Sequence, residues 1–386
     1  MAGLASVFTP EFWALETLQQ LYKKSQMLNL VNRDFDNIVA ARGDVINTRM
    51  PGKIATRPVN LAVPFSATEP GADNVQIKLD QWVETVPYKI DDKTKSLAIV
   101  DLVRLFVEPA AEAIVQVVEE ALIGLYRDIP TVIGTPGVVP NDVSKFGTDV
   151  KQAFDDQIIP KANRRVILNS SAANQFSQKL WKVNEVGTSS ILTEGALGRI
   201  FGSDYFDSQY LPTHTQGGWD GSVVVATGGA AAGAGLLSVT GLTTGTVFRG
   251  DHFSIDHTAA GVLDEWNRPV GVVNYTVTAD TPIVANAAVV PIYPPLKANV
   301  LAAVALSASA NYGVNLAFHR DAFTIVSRPL ESPTGTGALV SVMNYGGIGI
   351  RATIWYEPKD RCHYVSLDLL FGVKTLDPRK AFILAG

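Results

Sequence analysis

The longest periodic run of apolar residues lies between Lys95 and Arg127. After Pro109, apolar residues recur every three or four positions, which is the spacing of one stripe on an α-helix. Proline lacks an amide proton and crowds the preceding turn. The pattern therefore predicts a long, half-buried helix that either kinks at Pro109 or restarts with Pro109 in its first turn. The stripe consists of Ile114, Val117, Val118, Ala121, Leu122 and Leu125.

The chain before this helix has two different patterns. Thr9, Pro10 and Glu11 form a helix start, and the apolar spacing that follows predicts one helix from about Pro10 to Leu30. From Arg42 to Lys95, prolines and glycines interrupt short alternating runs, which predicts extended chain. The alternation changes phase between two sets of residues, so a bulge or a change of partner strand is expected there. A projecting arm and an ordinary meander both fit. The sets are Val75, Ile77 and Leu79, then Trp82, Val86, Tyr88 and Ile90.

The chain after the long helix alternates helix and strand patterns. It predicts a helix over Thr148 to Gln157, a strand over Arg165 to Leu168 and a second helix opened by Asn169 and Ser170. From Gly217 to about Leu306 the composition shifts to Gly, Ala, Val and Thr, and short strands between glycine-rich turns predict a small barrel or sandwich. The tail predicts strands that could pair. The strands expected are Val223 to Ala226, Leu237 to Thr240, His252 to Ile255, Val270 to Val277, Ala287 to Ile292, Thr324 to Ser327, Gly349 to Tyr356 and His363 to Val373.

Composition narrows the classes of function. Of the 386 residues only 18% are charged, so much uncharged surface is left to be covered, which favours self-association. The formal net charge of −5 argues against a dedicated nucleic-acid binder. Cys362 is the sole cysteine, which excludes an intramolecular disulfide and a four-cysteine zinc site and fits a reducing compartment. The first residues predict no signal peptide, and the apolar runs are too short for a membrane span.

Several clusters could carry chemistry. Gly52-Lys53 lacks the Ser or Thr of a phosphate-binding loop, and the glycine-rich stretch Gly228 to Gly235 lacks the dinucleotide spacing, so a turn is predicted. The segment Asp251 to His257 offers two His and two Asp that suggest a metal. However, His252 and His257 would lie on opposite faces of a strand, which favours a structural role.

The remaining clusters are read as structural too. His319-Arg320-Asp321 has no accompanying nucleophile and is interpreted as surface or as a salt-bridging loop. Cys362 lies between Arg361 and His363, which could lower its pKa, but a half-buried strand cysteine is favoured. Glu119-Glu120 is interpreted as a solvated edge and Asp91-Asp92 as a helix start; Asp155-Asp156 is the third acidic pair. No catalytic, cofactor or metal site and no enzymatic activity is predicted.

Two segments carry a family resemblance. Thr243 to Ile255 (TTGTVFRGDHFSI) resembles a barrel hairpin, and Asn315 to Leu330 (NLAFHRDAFTIVSRPL) resembles a segment that re-enters an axial domain. With the order of elements, these resemble the major capsid proteins of tailed bacteriophages, which have the Hong Kong 97-type fold, and more specifically the P-22-type coat proteins with an inserted β-barrel. The implied fold is α+β, with a long spine helix, an extended loop and the inserted barrel.

The resemblance implies a division of the chain into domains. Residues 1–45 would form an N-terminal arm and helix, and residues 46–92 the extended loop. Residues 93–148, completed by 350–386, would form a peripheral domain. Residues 149–216 and 307–349 would form an axial domain, with the β-rich insertion at 217–306.

The resemblance also implies a function. The chain would self-assemble as pentamers and hexamers into the icosahedral head shell, in the host cytoplasm, and reside in the virion capsid. Its partners would be a scaffolding protein, a portal and packaged DNA enclosed without sequence-specific binding, with no membrane. An encapsulin-like nanocompartment shell and, on the glycine-rich strands alone, a β-rich hydrolase or carbohydrate-binding protein are the alternatives. Lys53 and Asn60 lie in the loop, but no covalent crosslink is predicted.

Overall fold

A computed structural model gives the architecture of most of the chain. It describes residues 9–34, 45–50, 73–91, 106–140, 143–182, 198–219, 222–243, 245–258, 271–333, 335, 337–345 and 347–386. Within these residues the fold is mixed α+β. The helices are α1 (Pro10–Lys24), α2 (Met27–Leu30), α3 (Glu108–Ile123), α4 (Val143–Asp156) and α5 (Ser170–Lys182).

The strands of the described residues outnumber the helices and make several sheets. They are β1 (Val45–Met50), β2 (Asp73–Lys78), β3 (Gln81–Glu84), β4 (Tyr88–Asp91), β5 (Val132–Ile133), β6 (Arg164–Asn169), β7 (Arg199–Ile200), β8 (Ser203–Ser208), β9 (Thr213–His214), β10 (Val224–Val225), β11 (Leu236–Thr240), β12 (Thr246–Val247), β13 (His252–Asp256), β14 (Val272–Val277), β15 (Thr281–Pro282), β16 (Ala287–Tyr293), β17 (Ser307–Ala308), β18 (Tyr312–His319), β19 (Phe323–Ser327), β20 (Leu339–Tyr345), β21 (Ile348–Glu357), β22 (Cys362–Thr375) and β23 (Ala381–Ala385).

The chain divides into two compact units. The first combines Met1–Leu122 with Phe323–Asp377, and the second combines Ile123–Ala322 with Pro378–Gly386. The break between Ala322 and Phe323 lies inside the segment 307–349 that was expected to belong to one axial domain. A division into two compact units does not test the five segments expected from the family resemblance, and those domain boundaries stay a prediction.

The first unit is built on the long strand β22. This strand pairs along its length with β21, β4, β3 and β19, and β20 extends the sheet beyond β21. The two tail strands predicted from sequence are present and paired. Helix α1 packs on β20 and β21, where the Tyr22 and Tyr345 rings lie 5.5 Å apart. Trp13, Leu18 and Leu21 of α1 are fully buried.

The N-terminal helix is shorter than the single helix predicted. Helix α1 ends at Lys24, the backbone is extended at Ser25, and the four-residue α2 follows. The Ser25 hydroxyl and the Met27 amide both donate to the Glu119 carboxylate of α3. At the turn between α1 and α2, the Glu119 carboxylate thus accepts hydrogen bonds that a continuous helix would make within its own backbone. Glu119 lies more than ninety residues away in the chain, so the local sequence pattern could not predict this break.

Helix α3 begins one residue before Pro109. Residues 106–107 are π-helical, so Pro109 lies in the first turn of the α-helix, where its missing amide costs no hydrogen bond. Residues 92–105, the first part of the predicted long helix, lie outside the described residues. The apolar stripe is largely confirmed: Ile114, Val118, Leu122 and Leu125 are buried, and Val117 and Ala121 are half-buried.

The change of alternation between Leu79 and Trp82 is a change of partner strand. Strand β2 pairs with β1, whereas β3 and β4 pair with β22. Of the second apolar set, Ile90 is buried, but Trp82 is 62% and Val86 is 86% exposed. The expected change of partner strand is therefore confirmed, but this second set does not form one buried face. Residues 51–72, between β1 and β2, lie outside the described residues.

The second unit contains a seven-stranded sheet in the order β5-β23-β18-β6-β8-β7, with β9 on β18. The predicted α4, β6 and α5 are confirmed, although α4 begins at Val143 rather than at Thr148. Asn169 caps α5, because its Oδ1 accepts from the Ala172 amide at 2.8 Å. Helices α4 and α5 cover this sheet through one apolar core that includes Phe154 and Phe176.

The second unit also contains a β-rich region, residues 217–308, with its own core. Six strands run in the order β10-β11-β16-β14-β13-β17, and β12 pairs with β15 separately. The five strands predicted here are all present, within one or two residues at most ends. Alternate residues of these strands, such as Leu237, Phe253 and Val290, point into a core that also includes Trp219.

Candidate functional site

The most inviting sequence cluster, Asp251 to His257, does not converge on one point. His252 and His257 are both buried, but they have different partners. His252 Nε2 lies 2.7 Å from the Ile129 carbonyl oxygen, and His257 Nε2 lies 2.9 Å from the Tyr275 hydroxyl. Among the described residues, no group of three or more His, Cys, Asp or Glu side chains is arranged to hold a metal ion.

Asp251 is the centre of a buried polar cluster. Its side chain is fully buried, and four groups donate to its carboxylate. Trp219 Nε1 and the Phe248 amide lie 2.9 and 2.8 Å from Oδ2, and the Gly217 amide lies 3.2 Å from the same oxygen. His214 Nε2 lies 3.1 Å from Oδ1. A buried carboxylate needs such a complete set of donors.

The approach of Gly217 to this carboxylate requires glycine. A Cβ at this position would lie 2.3 Å from the Thr246 carbonyl oxygen and 2.8 Å from Asp251 Oδ2. Gly250 is restricted in a similar way, since its φ is +92° and a Cβ would lie 2.7 Å from the Arg127 side chain. These glycines let two chain segments pass close to the cluster.

Two histidines extend the cluster to neighbouring elements. A carboxylate only accepts, so His214 Nε2 carries the proton and Nδ1 accepts from the Tyr126 hydroxyl at 3.0 Å. The Ile129 carbonyl likewise places the proton of His252 on Nε2, and its Nδ1 accepts from the Tyr312 hydroxyl at 3.0 Å. Tyr126 belongs to the 3-10 turn that follows α3, and Tyr312 begins β18.

The cluster has a structural role at the point where the chain enters and leaves the β-rich region. Burial lowers the pKa of His252 to about 4, so this ring is neutral near pH 7. Tyr126 is buried, and within the described residues its hydroxyl is hydrogen-bonded to His214, so the Asp251–His214–Tyr126 chain of hydrogen bonds ends inside the protein. Such an arrangement positions the β-rich region against β9 and β18 rather than presenting a reactive group to a substrate.

His319, Arg320 and Asp321 lie at the end of β18 and in the short turn Arg320–Ala322. His319 is buried, and its Nδ1 accepts from the Asp321 amide at 3.2 Å. Burial lowers the pKa of His319, so its 3.6 Å approach to the Asp321 carboxylate is not an ion pair at neutral pH. The surface interpretation is therefore wrong for His319, whereas the salt-bridging loop stays a prediction for Arg320 and Asp321.

Cys362 is the first residue of β22 and is buried. Its Sγ lies 2.8 Å from Asp91 Oδ1 and 2.9 Å from the Asp360 carbonyl oxygen. The hydrogen bond to Asp91 raises the pKa of the thiol to about 11, the opposite of the lowering that its sequence neighbours suggested. The structural interpretation of this cysteine is the one that fits, because a protonated thiol is a poor nucleophile.

The paired acids differ from their sequence interpretation. Glu119 is 1% exposed, so the solvated-edge interpretation is wrong for it and holds only for Glu120. Asp91 ends strand β4 instead of starting a helix. Asp155 accepts from Arg164, which holds the pKa of this carboxyl below its usual range.

The glycine-rich stretch Gly228 to Gly235 forms turns between β10 and β11, as predicted. Gly52, Lys53, Asn60 and Asp92 lie outside the described residues. In the described chain no helix is long and apolar enough to cross a membrane. Sequence reasoning missed His214, Trp219 and Gly217, because they lie more than thirty residues from Asp251 and carry no local signal.

Comparison with known proteins gives a fold. No family model and no curated protein sequence matches the chain. A solved structure from Mycobacterium phage Che8 matches with a TM-score of 0.53 and 13% identity, over 94% of this chain and 91% of that one. The capsid of cyanophage P-SCSP1u matches with a TM-score of 0.48 and 11% identity, over 89% and 84%. The capsid of a native GTA particle matches with a TM-score of 0.44 and 9% identity, over 92% and 91%.

At this identity the likeness to the Che8 structure establishes a shared fold across nearly the whole of both chains. The mixed α+β fold expected from the resemblance to phage capsid proteins is confirmed at that level.

Proposed function

We propose that the chain is the major capsid protein of a tailed bacteriophage, which self-assembles into the icosahedral head shell that encloses the genome. The observation that carries this proposal is the match to the Che8 phage structure over 94% of this chain. The shared length matters because a partial match would leave room for an unrelated function in the remainder. A shell subunit needs large, weakly charged contact surfaces and no catalytic site.

The finer architecture belongs to the same proposal. Helix α3, with the preceding residues from Lys95, is the spine helix of a Hong Kong 97-type peripheral domain, with Pro109 as a point that flexes when the shell expands. Residues 46–92 form the extended loop, and the β-rich region is the inserted barrel of a P-22-type coat protein. The pairing of β1 with β2 supports the loop, since it brings the two ends of residues 51–72 together.

The partners follow from the proposed shell. Copies of this chain assemble as pentamers and hexamers with a scaffolding protein in the host cytoplasm, a portal occupies one vertex, and DNA fills the interior. The role is structural rather than enzymatic. It is supported by the buried, internally satisfied state of Asp251 and His252, which were the strongest candidates for chemistry.

Negative-stain electron microscopy of the chain expressed with a scaffolding protein tests the proposal. Closed particles of uniform size are expected, and a discrete monomer at every concentration would contradict it. Particles that enclose a protein cargo and no DNA would instead identify an encapsulin-like compartment. An enzymatic activity that is lost in His252→Ala or His319→Ala would revive the hydrolase alternative.

A further inference from the structure

Strand β20 forms one edge of the sheet in the first unit. It pairs with β21 through every residue from Leu339 to Tyr345, without a bulge. In an antiparallel sheet only alternate residues of an edge strand bond to the neighbouring strand, so the other amides and carbonyls of β20 point outward. Among the described residues, no second strand and no isolated bridge pairs with this outer side of β20.

The opposite edge of the same sheet is covered by the chain itself. The edge strand there is β19, and Asn32 forms a bridge with Thr324. The Asn32 amide donates to the Phe323 carbonyl at 3.1 Å, and the Ile325 amide donates to the Asn32 carbonyl at 3.2 Å. The first unit thus covers the β19 edge with its own backbone, which makes the open edge at β20 a distinct feature.

Strand β20 lacks the features that usually protect an open edge. Monomeric proteins prevent pairing at such edges with charged side chains, proline or a bulge. The sequence of β20, LVSVMNY, contains no charged residue and no proline, and its register with β21 is continuous. A long, uncharged and regular edge strand of this kind favours pairing with a further strand.

The two most exposed side chains of β20 indicate which strand this is. Leu339 is 61% and Tyr345 is 58% exposed. They are six residues apart, so they lie on the same face at opposite ends of the strand. If two β20 strands pair antiparallel about a two-fold axis at Val342, Leu339 of each copy lies opposite Tyr345 of the other. Cross-strand pairs of apolar and aromatic side chains stabilise a sheet, and this arrangement forms two of them.

We propose that β20 is an interface between two copies of this chain, which pair antiparallel about a two-fold axis at Val342 and join their sheets into one. The inference rests on the proposed function, which brings many copies together. Contacts on a two-fold axis use the same surface of both subunits, whereas rings such as pentamers and hexamers are closed by two different surfaces. The β20 pair therefore links two copies that belong to different rings of the shell.

Single cysteine substitutions in the full chain test the register. Val342→Cys places two thiols opposite each other, where the Cα atoms of paired residues lie about 4.5–5.5 Å apart, within the range of a disulfide. Val340→Cys is the matched control, because Val340 is also half-buried and lies on the same face. In the proposed register Val340 lies opposite Asn344 of the other copy, so its two thiols are about 14 Å apart.

Under mild oxidation, Val342→Cys is expected to form a disulfide-linked dimer about tenfold or more faster than Val340→Cys, because the pairing holds its thiols together. Gels without reductant measure the rates. Mass spectrometry of the linked peptides separates this product from links through Cys362, which is buried.

Charge substitutions at the two-fold axis test the identity of the partner. Val342→Lys and Val342→Glu each place like charges opposite each other, so each is expected to weaken association of the unassembled chain about fivefold or more. An equimolar mixture of the two variants places opposite charges there and should restore association. Val138→Lys is the control, since Val138 is 57% exposed in the loop between β5 and α4, and it should associate like the unaltered chain. Sedimentation across a concentration series measures the dissociation constants.

The possible outcomes separate the explanations. Equal rates of disulfide formation in Val340→Cys and Val342→Cys would overturn the proposed pairing. Weaker association of both charged variants with no recovery in their mixture would overturn it in favour of a different partner segment. If Val342→Lys does not fold by circular dichroism, the cysteine pair carries the test, because cysteine is close to valine in size.

Particle formation is scored separately by electron microscopy. If Val342→Lys forms particles at the same concentration as the unaltered chain and Val342→Cys forms no linked dimer, this inference is overturned and the shell function stays intact. If no version forms particles, yet Val342→Cys is linked and Val340→Cys is not, the proposed function fails and the pairing of two copies stands.

Discussion

Glu119 lies buried in the middle of α3 with its carboxylate turned to the corner between α1 and α2. One oxygen accepts from Ser25 and from the Met27 amide at 2.8 Å, and within the described residues the other oxygen has no hydrogen-bond partner. Burial raises the pKa of Glu119, and the hydrogen bonds from Ser25 and the backbone only partly oppose this effect. The Glu119 carboxylate thus accepts the hydrogen bonds that fix the turn between α1 and α2, but when it is ionised its charge is only partly satisfied by hydrogen bonds.

The pH dependence of this contact has a definite sign. Because the folded-state pKa lies above the ordinary value of 4.5, protonated Glu119 stabilises the fold, and this contribution is lost as pH rises through the folded-state pKa. Glutamine cannot ionise, so we expect Glu119→Gln to avoid that loss. The difference in the free energy of unfolding between this variant and the unaltered chain should therefore shift in favour of the variant as pH rises from 5 to 8. The relative gain should be about 1–2 kcal/mol, as for one imperfectly satisfied buried group. Urea unfolding at both pH values measures it.

Glu120→Gln is the matched control, because Glu120 is the next residue on the same helix and is exposed. It should leave the difference between the two pH values unchanged. An unchanged difference in Glu119→Gln as well would show that Glu119 does not titrate in this range, and would remove the argument for an incompletely solvated charge.

His252 titrates in the opposite sense. Its folded-state pKa of about 4 lies below the ordinary 6.5, so the unfolded chain binds the proton more tightly, and stability is lost as pH falls from 6.5 towards 4. The loss is on the order of 3 kcal/mol. We expect His252→Gln to be less stable at pH 7 by about 1–3 kcal/mol, since Ile129 and Tyr312 lose their partner. It should also lose less stability on acidification.

Thermal unfolding across pH 4 to 7 checks this prediction. Burial also lowers the pKa of His257 and of His319, so some loss of stability persists in the variant. Equal acid sensitivity of His252→Gln and the unaltered chain would show that the buried ring does not control this transition.

The elements differ in how far their sequence predicts them. Strands of the β-rich region have one buried and one outer face, so alternation finds β11 and β16 almost to the residue. Strand β18 was missed because it lies between β23 and β6, and its residues from Val314 to His319 are buried on both faces. When consecutive residues are buried on both faces, the apolar and polar positions do not alternate, and the partner strands of β18 are far away in the chain.

The same limit applies to the buried polar cluster. The sequence marks Asp251 and His252 as a candidate site because polar residues are adjacent there. The side chains that complete their hydrogen-bonded cluster come from segments around residues 126, 214 and 312. Glu119 and Glu120 are identical in kind, and only the docking of the α1–α2 corner makes one a buried acceptor. Local patterns therefore predict elements, and long-range contacts decide which polar residues are buried.

At Gly372 two elements approach closely, so substitution there tests the packing of β22. A Cβ at this position would lie 2.0 Å from the Lys78 carbonyl oxygen at the end of β2. We expect Gly372→Ala to lower the free energy of unfolding by about 2 kcal/mol or more, since backbone would have to move. Gly124→Ala is the control, because nothing lies within 4 Å of its Cβ position. Urea unfolding of both variants checks the difference, and equal stabilities would contradict the close approach.

At the scale of the whole molecule, apolar surface is left on both units. The first unit exposes Trp82 and Leu339, and the β-rich region exposes Leu236, Val272 and Val289, each by more than half of its surface. A chain with only 18% charged residues has little charge to offset such patches. Exposed apolar surface of this kind is typical of proteins that associate, which agrees with a subunit of a shell.

Trp82 offers the sharpest test of that association. It lies in β3 with 62% of its surface exposed, and large aromatic residues dominate the energy of protein interfaces. We expect Trp82→Ala to leave the melting temperature of the unassembled chain within a few degrees, because little buried contact is lost. It should raise the concentration needed for particle formation by about tenfold or more, as removal of an interface anchor worth about 1.4–2 kcal/mol does. Light scattering and electron microscopy across a concentration series measure this threshold.

Trp82→Phe, which keeps an aromatic ring, should restore most of the assembly. If Trp82→Ala assembles at the same concentration as the unaltered chain, Trp82 lies outside the contacts between subunits. If it lowers the melting temperature strongly instead, Trp82 belongs to the fold of the single chain.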